Sequence, residues 1–181
     1  LSFPKSVGAM PYVYNHHKKA GGLPTQKQFG SLFPFGHGLS YTRFAWSGFQ
    51  VEQSQISTGG EFKVSLLVEN TGPVGGDEVV ELYTHDKVAS IVRPVKELKA
   101  FARVSLEPGE KKKVMFTLPA DLFSFIGERM ERVLETGSFD LLVGKSSDDI
   151  VFASELSILG ENKILPKSWR CLSSVSLVSV S

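Results

Sequence analysis

The sequence has few of the features that mark disulfide scaffolds, membrane proteins or nucleic-acid binders. Among 181 residues the only cysteine is Cys171, so no disulfide can form within the chain. No apolar run approaches the roughly 18 residues that a membrane-spanning helix needs. The formal net charge is +1, which gives no reason to expect a general affinity for nucleic acid or membrane surfaces. We therefore predict neither nucleic acid nor membrane as a partner.

A targeting segment is also not recognisable, and the chain begins at Leu1 rather than at methionine. An excerpt of a longer protein and a processed product both fit this beginning, so the sequence leaves the compartment undetermined. Hydrophobic residues make up 41% of the chain and charged residues 22%, which is typical of a globular protein with an ordinary core. The length suits one domain with appendages.

The stretch at residues 32–42, which we call the corner, divides the chain. Phenylalanines flank Pro34, and Gly36 and Gly38 bracket His37. Proline restricts its own backbone, whereas glycines permit positive φ or a close approach of two segments. The sequence before the corner is irregular and basic, and the sequence after it is rich in strand-like segments. We predict a tight turn at a domain boundary, with the ring of His37 hydrogen-bonded to backbone so that it fixes the turn.

After the corner, apolar and polar residues alternate with the period of two that β-strands show. The clearest case is Phe62, Val64, Leu66 and Val68. Residues 78–85 have apolar groups on both faces, which predicts a central strand. Further strands are predicted at residues 96–106, 111–118, 138–143 and 150–158, with one helical turn at 119–123 and a solvated edge at the lysines of 111–113. Seven or so short strands separated by turns predict an all-β, antiparallel sandwich.

Several motifs, in a fixed order, carry a resemblance to a known family. They are Ser-Phe-Pro-Lys-Ser-Val-Gly at 2–8, Tyr-Asn-His-His at 14–17, Phe-Pro-Phe-Gly-His-Gly-Leu-Ser-Tyr-Thr at 33–42, Asn-Thr-Gly at 70–72, Gly-Asp-Glu-Val-Val-Glu-Leu-Tyr at 76–83, Val-Arg-Pro-Val-Lys-Glu-Leu-Lys at 92–99, Pro-Gly-Glu at 108–110 and Gly-Ser-Phe-Asp at 137–140. Together they resemble the C-terminal region of the β-glucosidase-like family 3 glycoside hydrolases. The resemblance covers roughly residues 2–158.

This resemblance implies a domain organisation. Residues 1–42 would be the closing segment of an α/β sandwich domain and a linker, so that a remnant of an α/β domain precedes the β-sandwich. Residues 43–159 would form a fibronectin type III-like (immunoglobulin-like) domain. The tail at 160–181 lies outside the family pattern, and the sequence leaves a disordered tail and an added strand as alternatives. The implied partners are an N-terminal barrel and an α/β domain, in a parent family that is often secreted or periplasmic.

The resemblance also implies a parent reaction, the retaining hydrolysis of terminal β-linked sugars, and it begins beyond the family's nucleophile and acid/base. We therefore predict no catalytic residue here and expect the chain to be inactive alone. The pair Ser147 and Asp148 lacks the aromatic residue that follows the family's nucleophile. Asp77 and Glu78 are neighbours on a strand, where adjacent side chains point to opposite faces. No cofactor is predicted.

Tyr14, Asn15, His16 and His17 are the candidate substrate-proximal residues. In the related enzymes this loop faces the catalytic cleft, so the resemblance implies a place at the substrate entrance, where these side chains would hydrogen-bond sugar hydroxyls. A solvated basic loop without a ligand is the alternative. A metal site is not predicted, because adjacent histidines point apart and no Cys, Asp or Glu stands at ligand spacing.

Two further alternatives stay open at the level of function. A free-standing carbohydrate-binding or adhesion sandwich would present a planar array of exposed aromatic rings, and Trp46 and Trp169 do not suggest such an array. A β-xyloside is the alternative to a β-glucoside as the parent enzyme's substrate, because the residues that select the sugar lie mainly outside this chain.

Overall fold

A computed structural model of the chain describes residues 3–9, 12–18 and 30–180. Within these residues the secondary structure consists of short strands and one 3-10 helix. The strands are β1 (Phe3–Pro4), β2 (Ser31–Phe33), β3 (Phe44–Val51), β4 (Gln55–Ser57), β5 (Glu61–Asn70), β6 (Gly76–Asp86), β7 (Glu97–Leu106), β8 (Lys111–Pro119), β9 (Phe125–Ile126), β10 (Arg132–Leu134), β11 (Gly137–Ser146), β12 (Asp149–Leu159), β13 (Lys163–Ile164) and β14 (Ser174–Ser179).

Two sheets form the body of the protein. The five-stranded sheet has the order β4-β12-β11-β6-β7, and the four-stranded sheet has the order β14-β8-β5-β3. Neighbouring strands are antiparallel in both sheets, except that β4 pairs with β12 in parallel. Side chains from both sheets meet in one hydrophobic core. The predicted all-β sandwich is therefore confirmed, with one parallel pair that the sequence did not indicate.

The strand phase follows the hydrophobic alternation. Phe62, Val64, Leu66 and Val68 on β5 are all fully buried in the core, because alternate residues of a strand point to one face. The central position predicted for residues 78–85 is also correct, since β6 lies between β11 and β7. A central strand of this kind buries side chains on both of its faces.

The 3-10 helix (Ala120–Phe123) begins directly after Pro119, whose φ of −72° suits entry into a turn of helix. The helical turn predicted at 119–123 is thus confirmed as a single 3-10 turn. None of the described segments is a helix long and apolar enough to cross a bilayer.

The prediction of a solvated edge at residues 111–113 is wrong. Strand β8 pairs with β5 on one side and with β14 on the other, so it is internal to its sheet. The alternation of serine with valine and leucine near the C-terminus produces β14, which covers the edge. Of the two alternatives for the tail, an added strand is the one that the structure contains. Two of the three lysines are paired instead, with Lys111 contacting Glu69 at 2.8 Å and Lys112 contacting Glu110 at 2.9 Å.

Asn70 attaches the end of the corner to the sandwich. Its Oδ1 accepts hydrogen bonds from the Thr42 hydroxyl at 2.7 Å and from the Gly72 N–H at 3.0 Å. Its Nδ2 donates to the carbonyl oxygens of Val74 at 2.8 Å and Leu106 at 3.0 Å. The side chain is fully buried, and each of its polar atoms is therefore satisfied by protein, as a buried amide requires. This network fixes the place where the corner enters β3.

Candidate functional site

Residues 12–18, which we call the docking loop, lie against the start of β7. The Val95 N–H donates a hydrogen bond to the His16 carbonyl oxygen at 2.9 Å. The Leu98 N–H donates to the Tyr14 hydroxyl at 3.3 Å. Because β7 is the edge strand of the five-stranded sheet, backbone groups on its outer side are free to bond a segment from elsewhere. The docking loop uses these groups, so the sandwich determines its position.

Aromatic contacts join the docking loop to the corner and to the sheet. The Tyr14 ring stacks on the Phe35 ring, with centroids 4.4 Å apart and planes 21° apart. The same tyrosine meets the edge of Tyr83, with centroids 5.8 Å apart and planes 64° apart. Both geometries are the ones that aromatic pairs favour. Tyr14 is thus a structural anchor that holds three segments together.

A buried carboxyl group lies below this cluster. Glu81 on β6 is only 6% exposed and accepts a hydrogen bond from the Tyr83 hydroxyl. Burial raises the pKa of the Glu81 carboxyl, and the hydrogen bond from Tyr83 offsets part of this effect. Burial also raises the pKa of Tyr83, as does its bond to Glu81. The Tyr83 hydroxyl holds the Glu81 carboxyl group in place, and the pair serves as a fixed support for the corner.

Gly36 packs directly against the Glu81 carboxyl group. Its φ is +84°, in the left-handed region that glycine tolerates best, and a Cβ at this position would overlap both carboxyl oxygens. Gly38 differs, because it has open space around it and no positive φ. Of the two glycines that bracket His37, only Gly36 is required by the geometry of the turn.

The turn between β11 and β12 supports the corner from the other side. The Ser147 N–H donates to the Phe35 carbonyl oxygen at 2.9 Å. The Lys96 ammonium group donates to the Ser147 carbonyl oxygen and lies 3.7 Å from the Asp148 carboxylate. Ser147 is fully buried. Ser147 and Asp148 thus form a turn whose contacts hold the backbone of the corner in place.

The four candidate substrate-proximal residues differ in their surroundings. Tyr14 is half-buried, with its hydroxyl and ring engaged as described above. The Nδ1 of His16 lies 2.9 Å from the His17 carbonyl oxygen, and its ring centroid is 5.4 Å from that of Tyr12. Asn15 and His17 are exposed. The loop thus directs the side chains of Asn15 and His17 towards solvent and uses Tyr14 for attachment.

His37 does not play the part expected from the sequence. The turn is closed by its backbone N–H, which donates to the Pro34 carbonyl oxygen at 3.1 Å. Its ring is exposed and lies beside the Phe33 ring, with centroids 5.1 Å apart. In the described segments no backbone group bonds this ring, so the prediction that it fixes the turn through its side chain is wrong. The N–H group that forms this bond does not depend on a histidine side chain, so the sequence pattern gives no sign that the backbone closes the turn.

An open cleft of about 720 Å³ lies beside the corner and contains charges of both signs. Asp77 accepts hydrogen bonds from Arg103 and from the Ser105 hydroxyl, and these bonds, that of Ser105 above all, lower the pKa of Asp77. Burial raises the pKa of Glu78, while the charge of Lys145 opposes the shift. Asp77 is thus tied to the neighbouring strand β7.

No cluster of three or more potential metal ligands occurs in the residues that the structure describes.

Sequence reasoning missed residues that position the docking loop and the corner. These are Phe35, Glu81, Tyr83 and Lys96. One signal was available, because Glu81 stands between Val80 and Leu82 in a strand whose neighbours are apolar. A carboxyl group in such a strand needs a specific partner.

Comparisons with known proteins agree with this architecture. The family model of the fibronectin type III-like domain matches residues 78–147. A putative β-xylosidase from Formosa agariphila is 40% identical over 152 residues, which cover 82% of this chain and 20% of that protein. The thermostable β-glucosidase B of Acetivibrio thermocellus is 42% identical over 134 residues, covering 74% of this chain and 18% of its own length.

Solved structures show the same likeness. The β-glucosidase from Listeria innocua, crystallised in complex with glucose, matches with a TM-score of 0.78 and 34% identity, over 88% of this chain and 24% of its own. The chain spans about a fifth of the length of the curated relatives quoted above. It belongs to the β-glucosidase-like family 3 glycoside hydrolases, of which it represents the C-terminal region with the fibronectin type III-like domain.

Proposed function

We propose that this chain works as the non-catalytic C-terminal part of a β-glucosidase-like hydrolase, in which it stabilises the catalytic domains and holds a loop at the substrate entrance. In this proposal residues 1–42 close the preceding α/β domain and link it to the sandwich at 43–159, and residues 160–181 form a tail. The whole enzyme would hydrolyse terminal β-linked sugars with retention, using two carboxyl groups supplied by its other domains.

The observation that carries the proposal is the attachment of the docking loop to the sandwich. Two backbone N–H groups and the stack of Tyr14 on Phe35 fix a segment that we assign to the neighbouring domain. The corner, which contacts this loop through Phe35, exposes apolar side chains at Leu32, Leu39 and Tyr41. Exposed apolar groups suit a surface on which another domain packs.

The test of this role is an assay of the chain alone and of the longer enzyme. The isolated chain should not hydrolyse an aryl β-glucoside. The enzyme translated from the whole reading frame should do so, and deletion of the part that corresponds to this chain should lower its unfolding temperature. Turnover by the isolated chain that survives repurification would contradict the proposal, and so would a reading frame without room for a barrel upstream.

The place of the loop at the entrance has its own test in the whole enzyme. Asn15→Ala and His17→Ala should raise KM for a β-linked oligosaccharide, because their exposed side chains would donate to sugar hydroxyls. Asn162→Ala, far along the chain on an exposed surface, is the matched control and should leave KM unchanged. Equal KM values for all three variants would contradict the proposal that the loop contacts substrate, and would not bear on the stabilising role.

A β-xyloside is the second candidate substrate. Two relatives from Formosa agariphila, at 40% and 41% identity, carry the name β-xylosidase, whereas the relative from Acetivibrio thermocellus carries the name β-glucosidase. Parallel assays of the whole enzyme on aryl β-glucoside and aryl β-xyloside would separate the two.

A free-standing carbohydrate-binding sandwich has less support. The guanidinium group of Arg132 lies 4.1 Å from the centroid of the Trp169 ring, and Trp46 is half-buried with Lys145 5.6 Å from its ring centroid. A sugar that stacks on an indole needs a free ring face. Saturable binding of a glycan by this chain in titration calorimetry would restore that alternative.

A further inference from the structure

The outer edge of β14 has no partner strand in the described part of the chain. Strand β14 stands at the end of the four-stranded sheet. Its inner side pairs with β8 without a register shift from Ser174 to Ser179, and each of its six residues is exposed. An edge of this kind presents a row of unpaired N–H and C=O groups, which is a template for a further strand.

The other three edges of the sandwich are protected, each in a different way. Strand β3 carries a register shift between Ser47 and Gln50, with Gly48 at a φ of +61°. Strand β4 has only three residues. Strand β7 carries charged Lys99 and Arg103, and its start is covered by the docking loop. Bulges, short length and charge are common devices against edge-to-edge pairing, and β14 has none of them.

Strand β14 is also complementary to itself. Val175 and Leu177 stand opposite the core residues Phe116 and Val114 of β8, so they lie on the core side of the sheet. They extend past the edge of the core and are 41% and 43% exposed. When two copies of β14 run antiparallel around a twofold axis at Ser176, Val175 of each copy lies opposite Leu177 of the other.

An alternative register is less favourable. An axis at Leu177 leaves a single Leu–Leu contact on the core side and places Val175 opposite Ser179. Cross-strand aliphatic pairs are a main source of stability between strands, so the axis at Ser176 is preferred. No charged side chain of β14 opposes the approach of a second copy, since the strand consists of serine, valine and leucine.

We propose that β14 is a self-association edge, through which two copies of this chain join their four-stranded sheets into one continuous antiparallel sheet. The occupant of the edge is a second copy because the strand supplies both halves of the apolar pairing and carries no charge that would recognise a different partner. A twofold axis closes the assembly at two copies. Six residues per copy bury less area than a standard interface of roughly 800 Å² per partner, so the dimer is weak and depends on concentration.

The test is sedimentation velocity of the full chain over a series of concentrations at low salt. The unsubstituted chain should show a monomer–dimer equilibrium. Ser176→Lys places two ammonium groups opposite each other at the axis, and it should weaken dimerisation by roughly threefold or more, because like charges directly opposite destabilise a strand pair. Ser176→Glu should have the same effect, whereas a mixture of the two variants should associate at least as tightly as the unsubstituted chain.

Ser47→Lys is the matched control, because Ser47 is an exposed serine on β3, at the opposite edge of the same sheet. It should leave the equilibrium unchanged, and circular dichroism should show the same fold for all variants. Monomers at every concentration would overturn the proposal. A dimer dissociation constant that is the same for the Ser176 variants and the unsubstituted chain would overturn it as well, and so would assembly into species larger than a dimer.

Discussion

Asn70→Ala is expected to be among the most damaging single substitutions outside the hydrophobic core. It removes four hydrogen bonds, of which those with the Thr42 hydroxyl and the Leu106 carbonyl oxygen are buried. A buried polar group that loses its partner costs about 1–3 kcal/mol. The two half-buried bonds, with Gly72 and Val74, add about 1 kcal/mol together. We therefore expect the free energy of unfolding to fall by about 3–7 kcal/mol.

Urea unfolding followed by tryptophan fluorescence measures this loss. Asn162→Ala is the control, because Asn162 is an exposed asparagine whose Oδ1 accepts bonds from the N–H and hydroxyl of Thr136 at 2.9 and 3.2 Å. Water replaces such bonds, so the control should lie within about 1 kcal/mol of the unsubstituted chain. Equal midpoints for the Asn70 and Asn162 variants would refute the reasoning that the buried network attaches the corner.

Three further substitutions test the corner and the core. Gly36→Ala should destabilise the chain by about 2–4 kcal/mol in thermal unfolding, since it combines a positive φ with overlap on Glu81. Gly38→Ala is the control, and a similar loss of stability in that variant would contradict the argument that Gly36 packs against Glu81. Leu66→Ala, at a fully buried position, should cost about 2–5 kcal/mol in urea. Lys112→Ala should stay within about 0.5 kcal/mol, and comparable midpoints for these two would contradict the strand phase. Glu81→Gln should stabilise the chain more at about pH 7 than at about pH 4. Burial raises the pKa of this carboxyl in the folded state, so the unsubstituted chain loses stability as pH rises and the carboxyl ionises. A stabilisation by Glu81→Gln that is larger at the lower pH would contradict this explanation.

The strands of the sandwich were largely predictable because their signal is local. Alternation along residues 62–68 is visible in the sequence and is imposed by the pleat of a strand. The place of β8 was not predictable in this way. Lysines at 111–113 are typical of an exposed edge, but the strand that covers them lies some sixty residues later in the chain. Pairing between distant segments leaves little trace in either segment alone.

The candidate site shows the same limit. The resemblance indicated the loop at residues 14–17, but it did not separate the anchoring residue from the exposed ones. Tyr14 became an anchor because its hydroxyl meets the Leu98 N–H and its ring meets Phe35, and both partners are remote in sequence. The prediction for His37 was wrong because the two flanking glycines suggested a role for its side chain, whereas the turn is closed by its backbone N–H.

The bond between Tyr14 and the Leu98 N–H joins residues 84 positions apart. During synthesis the loop leaves the ribosome well before the strand that receives it has been made. Contacts of such long range form late, because the intervening chain must first lose much of its freedom. The docking loop is therefore translated before the sandwich but reaches its final place only after β7 has been made, and any neighbour that contacts the loop must wait for the sandwich to emerge.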